Sequence, residues 1–311
     1  MGIRAKINRG LIRLVDFYTG NYRRITAIPI IFIIIFGSVI LFYYHANGEL
    51  VNEDISLKGG ISATVYTNES ISASSILSSV SSQLNQKQAS VSVLHPPFSN
   101  KIAGYTVTVG QNANMTKLEA VLASIFDIKL TSSNYSISYV GSTLAQSALY
   151  DSVLLLGIAF VLVAIVSLFY FRNKYQAFSN VVSIVSDVIN VIGVMDLFNI
   201  SFSTASIAGI LMLMGYSADR NIILATNILK RREGSIKYRL LHTLRTSLTM
   251  DLAAFTTFLI LFFGTTNATI QSIAIVLIIG LIFDDFTVWI LNGSIQLYSI
   301  KYMPEEEIKT T

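Results

Sequence analysis

Seven charged residues lie where the chain is otherwise apolar. Asp187, Asp219, Arg220, Asp251, Asp284 and Asp285 fall within long hydrophobic runs, and Arg245 stands at the start of one. An ionised Asp at the centre of a membrane-spanning helix costs roughly 2.5–3.5 kcal/mol on insertion scales. A helix tolerates that once, but a repeated set points to a function. A carboxyl removed from water resists ionisation, and a neighbouring guanidinium favours it again. A group balanced between those effects can load a proton and release it as its surroundings change, which is the chemistry of a proton relay. The competing reading is structural, because Asp–Arg pairs and amide hydrogen bonds also tie helices together. Arg220 and Arg245 are the basic partners at the depth of these acids.

The elements that must position these groups follow from composition. Of 311 residues, 52% are hydrophobic and 13% charged, with a mean hydropathy of +0.60. Soluble domains carry about 25% charged residues, so the chain reads as a membrane protein. Six runs reach the roughly 20 apolar residues a span needs. They lie near 27–45, 150–171, 177–198, 204–229, 246–264 and 270–295. The first has a basic start, but its apolar core is long for a signal peptide and no clean small-x-small site follows, so an uncleaved anchor is preferred. Lys and Arg set the expected orientation. Arg4, Lys6, Arg9, Arg13, Arg23 and Arg24 precede span one, and Arg172 and Lys174 link spans two and three. Lys230, Arg231, Arg232, Lys237, Arg239 and Arg245 link spans four and five, and Lys301 follows span six. The links 199–203 and 265–269 carry neither residue. Both termini are therefore expected in the cytoplasm and residues 46–149 outside, in a multi-pass protein of the cytoplasmic membrane. Residues 1–26 form the expected cytoplasmic amphipathic segment and 299–311 a cytoplasmic tail. Ile3, Ile7, Leu11, Leu14, Val15 and Tyr18 recur at helical spacing, which predicts a helix on the inner membrane surface.

Segment 46–149 has a different texture, rich in Ser, Thr and Asn. Strands are predicted at 59–67, 89–95, 102–110 and 135–141, and helices at 70–86 and 115–127. The order β-α-β-β-α-β predicts a ferredoxin-like domain. Asn68, Asn114 and Asn134 each begin an N-x-S/T triplet and are candidate glycosylation positions. With no cysteine, disulfides and thiolate metal sites are excluded, and the three histidines are too scattered for a metal site. No cofactor is expected. The net charge of +4 belongs with cytoplasmic loops rather than nucleic-acid binding. The sequence holds no HExxH, Walker loop or intramembrane protease motif, so an enzyme is not expected.

The order of these features is similar to that of the SecD/SecF protein-export family, specifically its SecF-type members of archaeal pattern, within the RND superfamily. "DISLKGGIS" (54–62), with Lys58, Gly59 and Gly60, resembles the family's strand leading on from span one. "STASIAGILMLMGYSADRNIILATNILKRREG" (203–234), with Gly215, Tyr216 and Ser217, resembles its span four. "LRTSLTMDLAAF" (244–255) resembles the start of span five, and "GLIFDDFTVWILNGSI" (280–295), with Trp289 and Asn292, resembles span six. The resemblance implies a six-helix half-bundle of RND type with a ferredoxin-like extracytoplasmic domain between helices one and two. It implies a SecD-type partner, a SecYE-type channel, a translocating preprotein and surrounding lipid, with the proton gradient as driving force. It also implies that Asp187, Asp219 and Asp284 are the aspartates of spans three, four and six, and Arg245 the arginine of span five. The chain departs from the pattern at Arg220 and Asn221, where members carry an acid, and at Asn227, where they carry arginine. Asp219 is then the sole acid of its stretch. Half of a proton-coupled exporter of a small molecule or lipid, or an uncoupled scaffold for the channel, is the alternative.

Overall fold

The computed structural model describes residues 2–84, 89–96, 99, 101–171, 174–230 and 234–302. Arg172, Arg231, Arg232, the middle of the expected turn 96–100 and most of the expected tail lie outside them. Helices α1 (Gly2–Ile25) and α2 (Ala27–Asn47) follow one another with only Thr26 between. A single-turn helix, α3 (Ile55–Lys58), then leads into the small domain.

That domain runs β1 (Gly60–Val65), α4 (Ala73–Leu84), β2 (Ser90–Leu94), β3 (Gly104–Val109), α5 (Met115–Phe126) and β4 (Tyr135–Val140). The sheet order is β2-β3-β1-β4, and every pairing is antiparallel. Strand alternation puts Ile61, Ala63 and Val65 opposite Val109, Val107 and Tyr105 on one face. Both helices cover that face, through Ile76 and Val80 of α4 and Leu118, Leu122 and Phe126 of α5. This is the β-α-β-β-α-β order expected from hydrophobic period. Asn114 caps α5, its side chain accepting from the Lys117 amide at 3.2 Å.

The long helices are α6 (Ser142–Phe171), α7 (Lys174–Leu197), α8 (Thr204–Ala225), α9 (Ile236–Gly264), α10 (Ala268–Phe286) and α11 (Gly293–Tyr302). With α2, and with α10 and α11 counted as one span, they supply among the described residues six helices long and apolar enough to cross a membrane. Short π-helical segments, Thr226–Lys230 and Thr287–Asn292, extend α8 and join α10 to α11. Helices α7, α8 and α10 share the bundle core of Ile184, Val191, Ile210, Leu213, Val276 and Leu277. Close approach rests on small residues. A Cβ on Gly209 would stand 3.0 Å from Val276, and one on Gly193 2.5 Å from Phe36. The small run 203–209 thus serves packing, as its composition predicts.

Two helices start earlier than hydropathy suggests. Helix α6 begins at Ser142 rather than 150, one residue after β4 ends, because 142–150 contains no helix breaker. Helix α9 begins at Ile236 rather than 246. Gly234 turns the chain with φ 77°, and Ser235 caps the helix by accepting from the Tyr238 amide. Lys237, Arg239 and Arg245 are therefore on a helix and not in a loop. Helix α1 is longer than expected, and its apolar face packs on protein. Val15 and Tyr18 are buried against Leu224, Ile228, Leu240, Leu244 and Val288.

Candidate functional site: a buried guanidinium among four carboxyls

Arg220, not Asp219, occupies the bundle interior. Neighbouring residues on an α-helix project about 100° apart, so the two cannot face the same way. Arg220 is 2% exposed, whereas Asp219 is exposed and has no ion pair among the described residues. Among the described residues Asp219 pairs with neither Arg220 nor Arg245. Arg245 is exposed as well.

Helix α8 presents Tyr216, Ser217, Arg220 and Asn221 at the i, i+1, i+4, i+5 spacing of one helix face. The Arg220 guanidinium donates from Nη1 to Asp284 and from Nη2 to Asp285, both on α10. Nη2 also donates to Asp251 Oδ2 on α9 at 3.0 Å. The Tyr216 hydroxyl donates to Asp251 Oδ1 at 2.9 Å, and the Tyr216 ring lies 5.7 Å from the Arg220 carbon Cζ. The planar fork of Arg suits this role, because it bonds several carboxylates in fixed geometry. Asp284 is fully buried, while the side chain of Asp285 is 37% exposed and forms the open edge of the cluster.

Asp187 of α7 joins from the other side. Its Oδ2 accepts from the Ser217 hydroxyl at 2.9 Å and its Oδ1 from the Thr287 hydroxyl at 2.6 Å. Three carboxyls therefore pair with one guanidinium, and a fourth, Asp187, joins the network through the Ser217 and Thr287 hydroxyls.

An amide ladder extends the network along the bundle. Asn221 donates to Ser217 Oγ at 3.4 Å and accepts from Asn292. Asn292 Oδ1 accepts from Ser179 at 2.6 Å and from Gln176 and Gln296 at 3.2 Å each. Thr287 and Asn292 bound one π-helical segment, and π-bulges recur at functional sites. Of the other buried asparagines, Asn180 bonds Ser167 of α6 at 2.5 Å, and Asn190 bonds Ser186 of its own helix.

The remaining motif residues serve elsewhere. Lys58 pairs with Glu49, and its carbonyl accepts from Gln111 at 2.7 Å. Gly59 has φ 77°, and a Cβ on Gly60 would stand 2.5 Å from the Val109 carbonyl, which explains both glycines. Burial and the nearby Glu49 carboxylate push the Glu53 carboxyl above its ordinary range, against an opposing pull from Lys58. Gly215 is exposed with open space around it, and Trp289 lines an apolar cavity beneath α1. Among the described residues no group of three metal-ligating side chains occurs.

Sequence reasoning missed Ser179, Gln176, Gln296 and Thr287, because uncharged polar residues are common in spans. Gln176, Asn180, Asp187 and Asn190 of α7 recur at helical spacing, and this was the signal available.

Six apolar helices among the described residues, a small α+β domain between the first two and a buried ion network in the bundle define a multi-pass membrane protein. Residues 117–301 match the family described as "Protein export membrane protein SecD/SecF, C-terminal". The chain belongs to the SecD/SecF family. It is 32% identical over 289 residues to the protein-export membrane protein SecF of Methanothermobacter thermautotrophicus, covering 91% of this chain and 94% of that one. It is 31% identical to SecF of Pyrococcus furiosus, covering 86% and 89%. The fold is similar to the crystal structure of SecDF, a translocon-associated membrane protein of Thermus thermophilus. The TM-score is 0.70 at 18% identity, over 92% of this chain and 38% of that chain.

Proposed function

We propose that this chain is the SecF-type subunit of a protein-export machine, and that the Arg220 network is where it draws on the proton gradient. The observation that carries the proposal is the surplus of carboxyls: three, from α9 and α10, pair with one buried guanidinium of α8, and a fourth, Asp187 of α7, joins through Ser217 and Thr287; buried carboxylates crowded in this way resist ionising together. A change in proton load alters how strongly Arg220 is shared between α9 and α10. The helices then repack, because buried ion pairs in low dielectric have few tolerated geometries. The driving force is about 2.3 kcal/mol per charge per 100 mV.

The exposed residues of α8 are Thr204, Ala208, Met212, Gly215 and Asp219, one stripe of mostly small side chains. A SecD-type partner packing there would cover Asp219 and bring it into a joint path with Arg245. The orientation follows the Lys and Arg distribution, with both termini cytoplasmic and residues 46–149 outside. A SecYE-type channel, a preprotein emerging from it and surrounding lipid complete the set of partners, and the small domain would hold or release the preprotein. The chemistry needs no cofactor and no reaction at a catalytic residue.

The test is export measured with and without collapse of the proton gradient, with the chain co-expressed beside its SecD-type partner. Wild type should lose most of its advantage on collapse. Asp251→Asn and Asp219→Asn should lack that advantage from the start while still assembling. Gradient-dependent export by both variants at the wild-type level contradicts the proposal.

A further inference from the structure

A cavity of about 190 Å³ lies where α1 meets α9 and the π-helical segment before α11. Leu14, Phe17, Tyr18, Leu244, Trp289 and Ile290 line it, and its lining is wholly apolar. Leu14 and Phe17 are 54% and 64% exposed, so its rim is open. Helix α1 runs directly into span one, which places the rim beside the membrane surface. Arg13 and Arg24, each next in sequence to a lining residue, are exposed and have no ion pair among the described residues. Asp16, the acid on the same stretch of α1, is already paired with Lys237 at 2.7 Å. Apolar walls beside unpaired arginines suit one occupant chemistry, a hydrocarbon chain carrying a negative headgroup.

We infer that this cavity is a binding site for an anionic membrane lipid. One hydrocarbon chain enters between Leu14, Phe17 and Trp289, and the negative headgroup lies along the basic stripe that Arg13 and Arg24 give α1, about 16 Å from end to end. Such a lipid wedges α1 against α9, the helix that carries Asp251. The site is independent of the proton reading, since it needs only the membrane.

Trp289 is the single tryptophan of the chain, so its fluorescence reports the cavity directly. The full chain is reconstituted in phosphatidylcholine vesicles in which a minor fraction of lipid is brominated phosphatidylglycerol or, in parallel, brominated phosphatidylcholine. The anionic quencher should act at a lower fraction than the zwitterionic one and should saturate. Arg13→Gln and Arg24→Gln should each reduce that preference about fivefold. Leu244→Phe, which fills the cavity, should abolish the saturable component while the arginines remain. Equal quenching by both lipids overturns the anionic assignment. Saturable quenching that survives Leu244→Phe puts the lipid outside the cavity and overturns the site.

Discussion

At the scale of the residue, the lesson is the difference one position makes. Asp219 and Arg220 are adjacent, yet only Arg220 enters the interior. Its removal leaves Asp251, Asp284 and Asp285 without their cation. Breaking a buried charge pair from one side typically costs about 3–5 kcal/mol. Arg220→Gln should therefore lower the stability of the isolated chain in detergent by about that amount. Asp219→Asn should change it by less than about 0.5 kcal/mol, as at an exposed site away from special contacts. Thermal unfolding of the two variants beside wild type checks both, and a larger loss from Asp219→Asn contradicts the assignment. The presence of charge within the spans was legible from the sequence. Its direction was not, because hydropathy marks how deep in a span a charge lies and not which face of the helix it occupies. Thr287 was invisible for a related reason, since a hydroxyl in a span can equally bond back to its own helix.

At the scale of the element, packing on α8 is asymmetric. Gly209 meets α10, where a Cβ already reaches Val276 at 3.0 Å, while Gly215 faces open space. Gly209→Leu should destabilise the chain by about 1–3 kcal/mol through overpacking. Gly215→Leu should leave the isolated chain unchanged but weaken co-purification of a SecD-type partner. The pair separates core from interface, and a Gly215→Leu variant that keeps its partner at the wild-type level contradicts the proposed stripe. The small domain was the most legible part, because alternation and helical period are strong where one face is buried. The four residues of α3 escaped notice, being too few to show a period. The early starts of α6 and α9 escaped because hydropathy marks the apolar length of a helix and not its end.

At the scale of the whole molecule, the small domain is tied to the bundle at two places. Strand β4 passes into α6 through Gly141 alone, and residues around α3 clasp the α7–α8 turn. There Glu53 bridges Phe202, the Asn52 amide donates to Asp196 at 3.2 Å, and the Thr204 amide donates to Ser56 Oγ at 3.1 Å. Helix α8 thus begins at the clasp and carries the buried guanidinium near its other end. Movement of α8 would reach the small domain without a flexible linker between them. All of this depends on the carboxyl network holding a proton that it can give up. The most direct measurement is infrared difference spectroscopy of the reconstituted chain as pH is varied. The account predicts a protonated carboxylic-acid band near neutral pH that changes with pH and is lost in both Asp187→Asn and Asp284→Asn. Absence of that band, or its survival in both variants, would show a fully ionised network and contradict the proton-loading role.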